Sequence, residues 1–169
     1  MANKVLVIGY GNPGRLDDGL GPALAEALEQ LNIPGVTVES DYHLTVEDAA
    51  AAAEHEYVVF ADASVGGREP FFFTVVQPVA QASFSSHTVE PEAVVAMARD
   101  LFRADTKAYA LGIRGYAFNE FGEALSEKAL ENLTAALRFL APVLRECAFD
   151  AAVSAARGGE AAAQLRNAT

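Results

Sequence analysis

Apolar positions along the chain form short continuous runs that alternate with stretches of helical periodicity. The continuous runs are typical of strands buried on both faces of a sheet, and they predict five β-strands, at residues 4–10, 36–40, 57–63, 71–79 and 107–113. Apolar residues at helical spacing predict four helices, at residues 21–31, 45–55, 90–102 and 126–147. This alternation predicts an α/β fold, a single-domain three-layer sandwich. Its five-stranded, mostly parallel, twisted sheet would carry helices on both faces.

The predicted domain covers residues 1–147, because no linker and no internal repeat interrupts the pattern. Residues 148–169 follow the last predicted helix and are rich in Ala and Gly, with few large apolar side chains. Such a segment has little reason to pack against a core. We therefore expect residues 148–169 to be a mobile C-terminal tail.

The composition is acidic, with 23 Asp and Glu against 12 Lys and Arg, for a net charge of −11 at pH 7. Binding to nucleic acid or to an anionic membrane needs clustered Lys and Arg, so we expect neither partner. The single cysteine, Cys147, cannot form an internal disulfide and fits a reducing compartment. No apolar stretch approaches membrane-spanning length. The sequence therefore predicts a cytoplasmic protein.

The first predicted strand leads into a glycine-rich loop that carries two adjacent acids, VLVIGYGNPGRLDDGLGPAL at residues 5–24. Gly9, Gly11 and Gly14 match the G-x-G-x-x-G spacing of a dinucleotide-binding turn, so a nucleotide-binding Rossmann-type domain is one interpretation. The carboxylates of Asp17 and Asp18 would repel a pyrophosphate there and favour a cation. Capping of the following helix explains one acid, Asp17. Asp18 is then not needed for capping and is available to bind a ligand.

Two further polar residues occur where the ends of neighbouring strands are expected to meet. Asp62 directly follows the apolar run YVVFA, and His87 lies in SSHT, just before a predicted helix. Position alone is also consistent with a turn residue at 62 and a surface histidine at 87. In open α/β sheets, however, sites lie at the carboxyl ends of the strands. Two carboxylates and one imidazole would suit Zn²⁺, Ni²⁺ or a similar divalent ion.

These segments resemble the hydrogenase maturation proteases, endopeptidases that remove a short C-terminal extension from the large subunit of nickel–iron hydrogenases. The resemblance covers about residues 4 to 145 and rests on VLVIGYGNPGRLDDGLGP, VVFADA, SSH ahead of a helix, and LGIRGYAFNEFGEALS. It implies a five-stranded twisted sheet and a metal-binding trio of Asp18, Asp62 and His87. It also implies that the loop residues Gly9, Gly11, Asn12 and Asp17 shape the site. His43 and Thr45 would then be candidates for contact with the substrate.

The resemblance implies an activity on the precursor of a nickel–iron hydrogenase large subunit. The divalent metal would be nickel presented by that substrate, and no nucleotide cofactor is expected. Asp18 would be a candidate to accept a proton from the attacking water. Two alternatives to the peptidase remain open: the Rossmann-type nucleotide-binding domain, and a non-catalytic nickel-sensing maturation module that uses the same ligands.

Overall fold

The computed structural model describes residues 4–79 and 89–157 of the chain. Each predicted strand and helix is present, with ends shifted by at most a few residues. The elements in chain order are β1 (Val5–Tyr10), a short 3₁₀ helix (Leu16–Gly19), α1 (Leu20–Leu31), β2 (Val36–Asp41), α2 (Glu47–Ala53), β3 (Tyr57–Ser64), β4 (Phe71–Val76), α3 (Pro91–Phe102), β5 (Lys107–Arg114) and α4 (Glu127–Glu146).

The sheet has the strand order β2-β1-β3-β5-β4, in which only β4 runs antiparallel to its neighbour. The predicted five-stranded, mostly parallel sheet is therefore confirmed. Strand β1 pairs with β2 on one side and with β3 on the other, so the chain crosses over in opposite directions from β1. Such a switch point opens a crevice at the carboxyl ends of the two strands, where ligands of open α/β sheets bind.

Helices cover both faces of the sheet, as the three-layer prediction requires. Along β1, Val5 and Val7 pack into one buried cluster, whereas Leu6 and Ile8 pack into the other. Helices α1 and α4 contact each other on the first face, and α2 and α3 contact each other on the second. Because successive strand residues point to opposite faces, the continuous apolar run of β1 serves both cores. Each fully buried Leu or Ile contributes about 1.5–3 kcal/mol to folding.

Two glycines let α1 pack directly on the backbone of β1. A Cβ atom added to Gly9 would clash with the carbonyl oxygen of Gly21, and one added to Gly21 would clash with that of Tyr10. A Cβ on Gly21 would also lie 2.7 Å from the carbonyl oxygen of Ala61. The glycine at position 9 therefore has a packing role. This close contact fixes where the loop between β1 and α1 begins and ends.

Residues 149–157 form a further helix that packs against the core, unlike the expected mobile tail. The ring of Phe149 stacks on Tyr57 and Tyr109, with centroid distances of 4.6 and 4.9 Å, and Phe149 is 1% exposed. The hydroxyl of Tyr109 donates a 3.0 Å hydrogen bond to the carboxylate of Asp150. Aromatic stacking thus holds a segment whose composition is dominated by small residues. Residues 158–169 lie outside the described residues.

Within residues 4–79 and 89–157, no helix combines the length and the apolar character needed to cross a membrane.

Candidate functional site

The loop after β1 is closed by the carboxylate of Asp18. The backbone N–H of Asn12 donates a 2.8 Å hydrogen bond to Asp18 Oδ2, and the side chain of Asn12 accepts one of 2.9 Å from the N–H of Gly14. Gly11 has a φ of 139°, and a Cβ atom there would clash with the carbonyl oxygen of Asp18. Only glycine fits this backbone readily. Gly11 and Asn12 therefore hold the chain around Asp18.

Asp17 is fully buried and holds the site loop against the segment that precedes α4. Its carboxylate accepts hydrogen bonds from the N–H and Oγ of Ser126, each 2.7 Å long. It also accepts bonds from the N–H groups of Tyr116 and Ala117, at 2.8 and 3.0 Å. Burial alone would raise the pKa of Asp17, but these bonds to the ionised form outweigh burial and lower the pKa below its ordinary value. A carboxylate therefore occupies this buried position in its charged form.

The expected capping role of Asp17 is wrong for the helix that directly follows it. Helix α1 receives no side-chain capping bond at its start. Asp17 instead binds Ser126, the residue whose own side chain caps α4 by accepting a bond from the N–H of Ala129. The partner of Asp17 is distant in sequence, so the residues next to Asp17 in the chain could not indicate this role.

Asp62 lies near the carboxyl end of β3, at the switch point beside the end of β1. Its carboxylate accepts a 2.8 Å bond from the N–H of Ala63 and a further bond from the hydroxyl of Tyr10. Burial, together with the negative charges of Asp18 and Glu90, raises the pKa of Asp62 to about 7. Asp18 and Asp62 are therefore close enough to repel each other. A cation bound to both carboxylates would remove that repulsion.

The third member of the expected trio, His87, lies outside the described residues. Across the described ranges, 4–79 and 89–157, no group of three or more His, Cys, Asp or Glu side chains could hold a metal ion. The structure thus brings together the two carboxylates, Asp18 and Asp62, whereas the role of His87 stays a prediction. Two carboxylate groups fit a divalent cation as part of a ligand set, and a third donor would complete it.

The two residues expected to contact substrate lie in the loop between β2 and α2. His43 is exposed. Thr45 is half-buried, and its N–H donates a 2.7 Å bond to the carboxylate of Asp48 at the start of α2. Thr45 is thus engaged in the turn that starts α2. His43 is the more accessible of the two, and contact of either residue with substrate stays a prediction.

Sequence reasoning missed two residues of this site, Tyr10 and Glu90. Tyr10 ends β1 and binds Asp62, and burial together with the charge of Asp62 raises the pKa of its hydroxyl above the ordinary value. Glu90 directly precedes α3, and its charge acts on both Tyr10 and Asp62. The rule that placed Asp62 at a strand end applies equally to Tyr10. The signal for Glu90 was weaker, an acid next to the first-turn proline of a helix.

The geometry of the loop also bears on the nucleotide alternative. In a dinucleotide-binding turn, free N–H groups at the helix start face the phosphates. Here α1 begins only at Leu20, and the N–H of Asn12 is bonded to the carboxylate of Asp18. The carboxylate of Asp18 therefore accepts a hydrogen bond from a loop N–H that would otherwise be free to bind a phosphate. Gly9 is explained by the close packing of α1 on β1, and Gly11 by its positive φ and its contact with the backbone of Asp18.

The sequence matches no protein-family model, and no curated protein matches it. Solved structures do share the fold. The NiFe hydrogenase maturation protease HycI from Thermococcus kodakarensis KOD1 matches with a TM-score of 0.67 and 23% identity, over 85% of this chain and 93% of that chain. The hydrogenase 2 maturation peptidase from Thaumarchaeota archaeon SCGC_AB-539-E09 matches with a TM-score of 0.63 and 22% identity, over 83% and 97% of the two chains.

The hydrogenase maturating endopeptidase HybD from E. coli gives a similar match, with a TM-score of 0.63 and 22% identity over 85% of this chain and 93% of that chain. The chain therefore has the fold of these maturation peptidases, as the sequence resemblance implied. At these identities the likeness establishes the fold, and a fold by itself hosts many activities.

Proposed function

We propose that this protein is a hydrogenase maturation endopeptidase. It would remove a C-terminal extension from the precursor of a nickel–iron hydrogenase large subunit. The observation that carries the proposal is the pair of neighbouring carboxylates, Asp18 and Asp62, at the switch point of the sheet. The fold shared with hydrogenase maturation peptidases supports the same reaction class.

In this proposal the nickel ion belongs to the substrate, and Asp18, Asp62 and His87 bind it. Carboxylate oxygens and an imidazole nitrogen are donors that Ni²⁺ accepts. The repulsion between the two aspartates supports this assignment, because binding of a cation to both would relieve it. When bound, nickel supplies Lewis acidity toward a carbonyl or a water molecule.

The residues around the pair hold both carboxylates in place before a substrate arrives. The Tyr10 hydroxyl donates a hydrogen bond to Asp62, and the N–H of Asn12 donates one to Asp18 Oδ2. The bond from Asn12 uses Oδ2 of Asp18, and the second oxygen, Oδ1, is the candidate to accept a proton from the attacking water. Such positioning lowers the entropic cost of assembling the reacting groups. The single cysteine suits a reducing compartment, and we propose that the protein acts in the cytoplasm.

Mass spectrometry of the cognate large-subunit precursor tests the proposal. The precursor is prepared with and without nickel and is incubated with the wild-type protein, Asp62→Asn or His87→Ala. We expect the loss of one defined C-terminal peptide only when nickel is present and the protein is wild type. Glu131→Gln, which neutralises an exposed acid on α4, should cut normally.

Three other outcomes would contradict the proposal in different ways. An unchanged precursor mass, with a complex that forms only on nickel, would favour the nickel-sensing module. Normal cutting by both Asp62→Asn and His87→Ala would remove the metal trio from the mechanism. An unchanged mass without any complex would exclude both the peptidase and the sensing module.

A further inference from the structure

A groove runs from the site loop along α1, and we call it the α1 groove. It consists of two adjoining cavities of about 200 and 360 Å³, which share Pro13, Pro22 and Ser40. The smaller cavity reaches Gly11, the residue that packs against the backbone of Asp18. The larger one continues along α1 to Glu29. The groove thus extends from Glu29 on α1 to Gly11, whose backbone lies against that of Asp18.

The walls of the α1 groove are largely apolar. Pro13, Pro22, Ala23 and Leu125 line it. Tyr42 lines its open end beside the site loop and is 63% exposed, which is unusual for so large an aromatic ring. An extended peptide fits a channel of this shape, and the long aliphatic parts of Lys and Arg side chains fit its apolar walls. The exposed ring of Tyr42 offers a face on which a cation can stack.

The charges of the α1 groove have a single sign. Four exposed acids line it, Glu26, Glu29, Asp41 and Glu123, and no Lys or Arg lines either cavity within the described part of the chain. The ion pairs found among the described residues, Arg99 with Asp100 and Lys128 with Glu69, involve none of these acids. Their negative potential therefore acts on whatever enters the groove. An acidic segment would be repelled, and a basic one attracted.

We propose that the α1 groove binds a basic, extended segment of the protein substrate and thereby delivers the adjoining chain to Asp18 and Asp62. This inference rests on the proposed function, because it names the docking surface for the same substrate. The apolar walls hold the stems of basic side chains, and the carboxylate rim binds their charged ends. Charge complementarity of this kind fixes the register and accelerates encounter.

Fluorescence anisotropy with labelled model peptides tests the groove without any need for cleavage. The probes are a short peptide of alternating Lys and Ala and a matched peptide of alternating Glu and Ala, each titrated with the full chain. We expect the basic peptide to bind more tightly, with an affinity that falls as salt is added. Replacement of the three glutamates of the groove, Glu26→Gln, Glu29→Gln and Glu123→Gln together, should weaken binding roughly tenfold, because each exposed ion pair contributes only a few-fold.

A matched triple variant separates the groove from the general negative charge of the protein. Glu54→Gln, Glu131→Gln and Glu146→Gln together change the net charge by the same amount at exposed positions away from the groove. This control should keep nearly the wild-type affinity. Ser40→Trp, which fills the channel without altering charge, should also weaken binding of the basic peptide. Equal losses in the two triple variants, or no preference for the basic peptide, would overturn the inference.

Kinetics with the nickel-loaded precursor distinguish failure of the groove from failure of the proposed function. The groove triple variant should raise KM several-fold with little change in kcat, whereas Asp62→Asn should abolish turnover. If the wild-type protein cuts the precursor and the groove variant keeps the wild-type KM, the groove inference fails and the proposed function stands. If the precursor is never cut but the peptide results hold, the groove stands and the proposed function fails.

Discussion

Asp17 and Ser126 are joined by two hydrogen bonds of 2.7 Å, although 109 residues separate them in the chain. All the groups that face this carboxylate, including the N–H groups of Tyr116 and Ala117, are donors. The arrangement needs an acceptor with two oxygens at a fully buried position. It connects the site loop, and with it Asp18, to the start of the last long helix.

Replacement of Asp17 by Asn should destabilise the protein. An amide NH₂ would face groups that also donate, so at least one buried donor would lose its partner, at a cost of about 1–3 kcal/mol. Urea denaturation followed by circular dichroism measures the change in the free energy of unfolding. Glu131→Gln, an exposed acid-to-amide change, should alter that free energy by less than about 0.5 kcal/mol. Equal stabilities for the two variants would contradict the role given to Asp17.

Replacement of Asp18 by Asn should lower the pKa of Asp62. Burial contributes most to the raised value of about 7, and the charge of Asp18 adds to it. The substitution removes that charge but leaves the burial, so the pKa should fall only part of the way toward its ordinary value. Carbon-13 NMR titration of the side-chain carboxyl groups measures it. An unchanged pKa would mean that the two carboxylates are not electrostatic neighbours.

Asp48 should make the stability depend on pH in the opposite sense from a salt-bridged acid. Burial raises the pKa of Asp48 above 3.8, although the hydrogen bonds from Thr45 act against burial. The folded protein therefore holds this proton more tightly than the unfolded chain. The resulting stability is present below pH 3.8 and is lost as pH rises through the raised pKa. Asp48→Asn keeps an acceptor for Thr45 but cannot titrate. Its free energy of unfolding, measured from pH 3 to 7, should fall less than that of the wild type.

Replacement of Gly21 by Ala should destabilise the protein strongly. The added methyl group would meet the backbone oxygens of Tyr10 and Ala61, and backbone cannot move aside as a flexible side chain can. We expect a loss of about 1–3 kcal/mol or more, the usual cost of overpacking. Gly66→Ala is the matched control, because nothing lies within 4 Å of its added Cβ. Thermal unfolding of the two variants side by side would reveal the difference, and similar midpoints would argue against close packing of α1 on β1.

Truncation of Phe149 to Ala should test whether the helix at residues 149–157 belongs to the folded core. A large aromatic side chain removed from a buried site typically costs about 3–5 kcal/mol. Phe121→Ala provides the control, because Phe121 is 85% exposed and its main described contact is with the guanidinium of Arg15. That loss should be under about 1 kcal/mol. If Phe149→Ala were as stable as the control, residues 149–157 would behave as the tail first expected.

The fold was readable from the sequence because its signals are local. The apolar run of β1 and the periodicity of α1 each predict their own element. Ligand sites of open α/β sheets lie at the carboxyl ends of the strands, and this predicted that Asp18 and Asp62 lie at one edge of the sheet. The features that escaped depend on distant partners. Phe149 packs against Tyr57 and Tyr109. No pattern within residues 148–169 indicates that these two rings would contact it.

The same limit explains what the sequence left open or did not reveal at the site. The glycine spacing matched a nucleotide motif because backbone packing and phosphate binding both require glycine, and only the position of α1 tells them apart. Asp17 was interpreted as a helix cap because it lies just before α1 in the sequence. Its actual partner, Ser126, lies at the start of a different helix, α4. Glu90 reaches the site through the placement of α3 over the sheet, which is set by burial of residues such as Val94 and Val95.

The bond between Asp17 and Ser126 also sets an order of events during synthesis. When β1, α1 and β3 have left the ribosome, Asp18 and Asp62 are both present, but the group that fixes the neighbouring Asp17 has not yet been made. The local bond between Asn12 and Asp18 can form early, whereas the bonds that fasten Asp17 to the segment before α4 can form only after Ser126 has emerged. A nascent chain of this protein would therefore carry the two aspartates on a loop that is not yet fastened to the rest of the domain.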